Sequence, residues 1–163
     1  MNRAIMMWVV FAISLTGLLS CKHADKKNIS KDSLKILDSP PLAGLTDSIS
    51  LFPGNATLYL ERATLLSQNN FHNLATADYK KSWELTGDEN IALSYASSLL
   101  IGDKVKEAVS LLKNCTEKFP GNTEFNRRLG EVYLQNSEPA KALEQYDRII
   151  QKDSSNFEAW YDK

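Results

Sequence analysis

The chain has 163 residues and a mass of 18.3 kDa, room for one ordinary domain. Hydrophobic residues at 43% and charged residues at 24% exclude a collagen-like, a wholly disordered and a polytopic membrane protein. A net charge of −1 gives no bulk attraction to nucleic acid, and two cysteines cannot staple a disulfide scaffold. The apolar content is concentrated at the start. All three methionines (Met1, Met6, Met7) and Trp8 lie in the first eight residues, and Arg3 is the only charge before Lys22. Thirteen of the sixteen residues from Ala4 to Leu19 are apolar. A basic start, a short apolar core and a small residue at its end have the form of a secretory signal. The core is shorter than the ~20 residues of a spanning helix.

Leu18-Leu19-Ser20-Cys21 resembles the lipobox of bacterial lipoproteins, with an apolar residue three before the cysteine and a small one just before it. The resemblance implies that residues 1–20 are a signal peptide cleaved after Ser20. It also implies that the Cys21 thiol receives a diacylglycerol and that membrane lipid is a partner through that cysteine. Each buried CH₂ contributes about 0.8 kcal/mol, so two or more acyl chains hold the protein to the membrane. The expected location is the periplasmic or outer-membrane side of a bacterial envelope. An ordinary signal anchor with an incidental Cys21 is the alternative. Cleavage leaves 18 basic against 20 acidic residues, a net of −2, and Cys115 as the one other cysteine.

Residues 21–38 read as the lipidated cysteine and a tether. Residues 22–33, KHADKKNISKDS, show no apolar periodicity, and Lys22, Lys26, Lys27 and Lys31 outweigh Asp25 and Asp32. Such a stretch is either a solvated spacer or a basic strip against anionic head groups. His23 lies close to Cys21, but a lipidated thiol is no metal ligand. Leu34 to Leu37 fit neither the helical nor the strand period. Ser39-Pro40-Pro41 is a helix start, a capping hydroxyl followed by proline in the first turn. Leu42, Leu45, Ile49 and Phe52 then share one helical face, and Pro53-Gly54-Asn55 stops the run. The spacing predicts a leading helix over about 40–51, within a segment 39–55.

From there the chain repeats itself. Ala75, Ala108 and Ala142 lie 33 and 34 residues apart. Four residues after each comes a large residue (Tyr79, Leu112, Tyr146), and twelve before each a small one (Ala63, Ala96, Gly130). Breaks recur at Asn69-Asn70, Gly102-Asp103 and Asn136-Ser137 inside the units. Others recur at Thr86-Gly87-Asp88, Pro120-Gly121-Asn122 and Asp153-Ser154-Ser155-Asn156 between them. Each unit therefore reads as two helices joined by a turn, with Gly102 closing a helix and Asp103 capping the next. Small residues stand where two helix axes, 8–10 Å apart, approach closest.

The pattern resembles the tetratricopeptide repeat family. The family's small, alanine and large slots hold Ala63, Ala75 and Tyr79, then Ala96, Ala108 and Leu112, then Gly130, Ala142 and Tyr146. The slot usually filled by tryptophan holds Tyr59, Ala92 and Asn126, a departure from the pattern. The second small slot holds Ser82 and Cys115 but Ile149 in the third unit, and one residue is missing near Gly87-Asp88. The resemblance implies an all-α solenoid of antiparallel helix hairpins over 39–163. Its units are 56–88, 89–122 and 123–156, with 157–163 beginning a fourth, where Trp160 takes the tryptophan slot. A unit that stops before its second helix points to an N-terminal piece of a longer protein, with a short natural C-terminus packed as a frayed cap as the alternative.

Nothing in the chain suggests catalysis, a cofactor or a metal. His72 stands alone and reads as packing or surface. Cys115 occupies a small buried slot and reads as a structural thiol, and no phosphate loop or Cys-x-x-Cys is present. The resemblance implies that the working surface is the concave face lined by the first helices. Its slots hold Thr57, Leu60, Thr64 and Ser67, then Asn90, Leu93, Ser97 and Leu100, then Glu124, Arg127, Glu131 and Leu134. The candidate partner-binding residues among them are Leu60, Thr64, Leu93, Ser97, Arg127 and Glu131. The family's clamp for a terminal carboxylate is built of Lys, Asn and Arg; the matching slots here hold Leu60, Thr64, Ser94, Glu124 and Arg128, and only Arg128 fits. The expected function is a non-catalytic adaptor that binds an unidentified protein or peptide in the bacterial envelope. A ligand-capture lipoprotein of an uptake system and the repeat part of a longer envelope enzyme are the alternatives.

Overall fold

The computed structural model describes residues 35–163. The signal segment, Ser20, Cys21 and residues 22–34 of the tether lie outside the described residues. Eight α-helices follow a 3-10 turn at Ile36–Asp38: α1 Leu42–Leu51, α2 Ala56–Gln68, α3 His72–Thr86, α4 Glu89–Ile101, α5 Val105–Lys118, α6 Glu124–Gln135, α7 Pro139–Lys152 and α8 Phe157–Asp162. Among the described residues there is no strand. Each helix packs chiefly on its sequence neighbours, α2 on α3, α4 on α5 and α6 on α7, with α3–α4, α5–α6 and α7–α8 contacts joining the hairpins. This is the solenoid arrangement.

The leading helix starts later than Pro40. The Ser39 hydroxyl donates to the Ile36 carbonyl at 2.7 Å and closes the 3-10 turn, so it does not cap α1, whose N-cap position is Pro41. Leu42 and Ile49 are buried, but Phe52 lies beyond the last helical residue and is 62% exposed, so it leaves the apolar face. The starts of α2, α4 and α8 are capped by side chains. Asn55 Oδ1 accepts from Thr57 N, Asp88 Oδ1 from Asn90 N and Ile91 N, and Asn156 Oδ1 from Ala159 N. Each bond satisfies a backbone donor that the first turn of a helix leaves open.

The turns inside the three hairpins share one geometry. The Phe71, Lys104 and Glu138 amides donate to the carbonyls of Leu66, Leu99 and Tyr133, and those of Asn70, Asp103 and Ser137 to Ser67, Leu100 and Leu134. This is a Schellman motif, which needs a left-handed residue just past the helix. That residue is Asn70, Asp103 and Ser137, with φ of 63°, 57° and 59°. The sequence suggests Gly102 for this task and Asp103 as a cap. Gly102 has an ordinary φ of −80°, Asp103 turns the chain, and Lys104, the N-cap residue of α5, makes no side-chain cap. The shorter link between the first and second hairpins is Gly87-Asp88 alone, with Gly87 left-handed at φ 65° and Asp88 capping α4.

The core runs through all the hairpins. Ala63, Ala75, Ala96, Ala108, Leu112, Ala142 and Tyr146 are buried, and Tyr79 lies at their margin. Gly130 marks the closest approach of α6 and α7. A Cβ there would lie 2.7 Å from Tyr146 Cζ and 2.8 Å from Cε1. Polar side chains also cross between helices inside the core. Ser82 Oγ donates to the Ala56 carbonyl at 2.9 Å, Thr76 and Ser98 hydroxyls meet at 2.7 Å, and Asn126 Nδ2 donates to Gln145 Oε1 at 3.2 Å. The Asn126 pair fills the slot from which tryptophan is missing.

The strongest such link is an ion pair. Arg62 of α2 donates through Nε and Nη2 to both carboxylate oxygens of Asp78 on α3, at 2.7 and 2.8 Å. Its Nη1 donates to Thr46 Oγ1 on α1 at 3.2 Å. The two side chains are only 12% and 9% exposed. One guanidinium thus ties the leading helix to the first hairpin.

Candidate interaction surface

The residues expected on the inner face lie on α2, α4 and α6. Leu60, Leu93 and Leu100 are half-buried against the core and keep part of each side chain in solvent. Thr57 and Thr64 are exposed, and the Thr64 hydroxyl donates to its own helix at the Leu60 carbonyl, 2.9 Å away. Ser67 and Ser97 are half-buried, and Asn90 is exposed. The surface is therefore uncharged and mildly apolar along α2 and α4.

Along α6 it becomes charged. Arg127 donates to both oxygens of Glu124, at 2.6 and 2.8 Å, and to Glu131 at 2.5 Å. Arg128 adds a bond to Glu124 at 2.8 Å. The hydrogen bond to Glu124 holds the Arg127 guanidinium above its ordinary pKa. Both arginines are committed to carboxylates of their own helix, so neither stands as a free clamp for a terminal carboxylate.

Arg127 and Glu131 line a cleft of about 580 Å³ whose other wall is α8, through Glu158, Tyr161 and Asp162. Tyr161 is 91% exposed. These three α8 residues are missing from the expected groove, yet the period could have placed them. Glu158 and Tyr161 stand 34 residues after Glu124 and Arg127. The structure brings Arg127 and Glu131 together at the cleft and leaves Leu60, Thr64, Leu93 and Ser97 along the earlier first helices.

Cys115 is fully buried, and burial pushes its thiol pKa up, which leaves it protonated and inert. His72 is half-buried at the start of α3, and its Nδ1 is enclosed without a hydrogen-bond partner. Among the described residues, no group of three or more His, Cys, Asp or Glu side chains could hold a metal ion.

Residues 99–162 match the tetratricopeptide repeat family. A crystal structure of MamA superposes with a TM-score of 0.63 at 18% identity, over 85% of this chain and 82% of that one. The chain has the tetratricopeptide-repeat fold. Two further repeat proteins share the fold. One, from Parabacteroides merdae, has a TM-score of 0.65 at 16% identity, over 80% of this chain and 54% of its own. The other is YrrB, described as a TPR protein with an unusual peptide-binding site. It has a TM-score of 0.55 at 24% identity, over 72% of this chain and 61% of its own. At these identities the likeness carries the fold alone. No curated protein sequence matches the chain. Repeat solenoids of this kind present extended concave surfaces to other proteins, and a protein-binding scaffold is the role this fold suggests.

Proposed function

We propose that this TPR-fold protein is a non-catalytic adaptor, lipid-anchored through Cys21 in a bacterial envelope, whose inner face binds a protein or peptide. The observation that carries the binding role is the inner row itself. Leu60, Leu93, Ser97, Arg127 and Glu131 are only part-buried, and the row ends in an open cleft between α6 and α8. A mildly apolar stretch that leads to a charged end suits an extended segment with an apolar part and a polar part. The anchor rests on the signal segment and the Leu18-Leu19-Ser20-Cys21 motif. Anchoring raises the local concentration of the adaptor near envelope partners. No helix among the described residues is long and apolar enough to cross a membrane.

Two measurements test the two halves. Cys21→Ala is expected to abolish metabolic fatty-acid labelling and membrane retention, and unchanged labelling overturns the anchor. A photo-crosslinking side chain at Leu93 or Arg127 is expected to trap a discrete protein species that the same group at exposed Lys80 does not. The capture alternative rests on Tyr161, the exposed aromatic at the cleft. It is favoured if free glycans or peptides, and no protein, protect the Leu93 and Arg127 positions.

A further inference from the structure

A second cleft, of about 520 Å³, opens where the start of α5 meets the α6–α7 turn. Its walls are Val105 and Val109 with the Tyr133 ring, and its rim carries Lys106, Lys113 and Lys141. Lys113 Nζ and Lys141 Nζ lie 6.0 and 5.5 Å from the centroid of that one ring. Lys141 is paired with Glu138, the one carboxylate lining the cleft. Lys106 and Lys113, both exposed and two helical turns apart on α5, form no ion pair with any carboxylate among the described residues.

Lys81, Lys104, Lys118 and Lys152 likewise form no ion pair among the described residues, while other surface cations are matched. Lys80 sits on Glu84, Arg148 on Glu144 and Lys163 on Asp147. The cleft therefore combines an apolar interior with a rim of three lysines, of which only Lys141 is paired. Lys113 stands at the ring without a carboxylate of its own, and an incoming carboxylate would supply one. The volume falls within the range of pockets that enclose small groups or side chains.

We propose that this outer cleft docks an acidic peptide segment of a partner protein. An apolar side chain enters between Val105, Val109 and Tyr133, and flanking carboxylates engage Lys106 and Lys113. The site lies on α5 and the α6–α7 turn, apart from the residues assigned to the inner face, and it stands whether or not the inner face binds a peptide. Occupied together, the two surfaces let one solenoid hold two partners.

The probe is a fluorescein-labelled peptide, Glu-Asp-Leu-Phe-Asp-Glu, titrated with the detergent-purified full chain and read by fluorescence anisotropy. Its amide counterpart, Gln-Asn-Leu-Phe-Asn-Gln, is the charge control. The acidic peptide is expected to bind more tightly than the amide one and to weaken as salt is raised. The double variant Lys106→Glu, Lys113→Glu is expected to weaken it by about tenfold or more, since two surface pairs are lost and two repulsions gained. Lys80→Glu is expected to leave it unchanged, and circular dichroism checks that each variant stays helical. No binding of the acidic peptide, equal binding of the amide one, or no effect of the double reversal overturns the proposal. Binding of anionic phosphatidylglycerol vesicles through these lysines without binding of the peptide also overturns it and assigns the face to lipid.

Discussion

Asp78→Ala is expected to destabilise the first hairpin by about 3–5 kcal/mol, the cost of leaving a buried charge without its partner. Arg62 reaches three elements at once, with two bonds to Asp78 and one to Thr46. Remove the carboxylate and the guanidinium stays among α1, α2 and α3 with a single neutral acceptor. Urea unfolding followed by circular dichroism measures the loss. Arg62→Ala should act similarly, because Asp78 then loses both of its donors. The double variant Arg62→Leu, Asp78→Leu is the discriminating case. Apolar side chains of similar bulk desolvate nothing, so the double variant should be near neutral or more stable than the wild type. A double variant as unstable as the single ones would mean that the pair supplies net stability.

The second large effect is expected at Gly130. The helix is packed so tightly against Tyr146 that a single Cβ would fall 2.7 Å from the ring, and the ring is 1% exposed with nowhere to swing. Overpacking a core costs about 1–3 kcal/mol, and the helix preference of alanine over glycine returns about 1 kcal/mol. Gly130→Ala should therefore lose about 1 kcal/mol, and Gly130→Leu about 3 kcal/mol or more. The neighbouring hairpin shows the remedy, since it holds Ala96 and Leu112 in the corresponding places. Gly130→Ala combined with Tyr146→Leu should be more stable than Gly130→Ala alone, and a thermal melt of the four proteins measures the coupling. Strict additivity would show that the two residues do not compete for the same space.

The solenoid is legible in the sequence because close helix approach demands small residues, and those residues recur at 33 and 34 in otherwise unrelated surroundings. Helix starts are legible wherever a side chain makes the cap, as Asn55 and Asp88 do. The signal fails where two devices compete for one residue. Ser39 could cap a helix or close a turn, and its hydroxyl goes back to Ile36. At Gly102-Asp103, glycine is the residue with the freer backbone, yet the Schellman geometry falls one position later, on Asp103. The Arg62–Asp78 pair is invisible for a different reason. On a single helix each residue looks like an ordinary solvated charge, and only the docking of α2 on α3 buries them together. The α8 side of the inner cleft was within reach of the period itself, since Glu158 and Tyr161 repeat the places of Glu124 and Arg127.

One feature of the fold bears on how such a molecule withstands load. Among the described residues every helix leans chiefly on the elements next to it in sequence, and no extensive contact joins the first hairpin to the third. A globular domain under tension resists until many distant contacts break together. This chain, drawn out from one end, would instead surrender a hairpin at a time, each with its own threshold. The guanidinium of Arg62 sits near the N-terminal end of the described residues, where a pull through residue 35 arrives first. It works there as a clasp that raises the first of those thresholds.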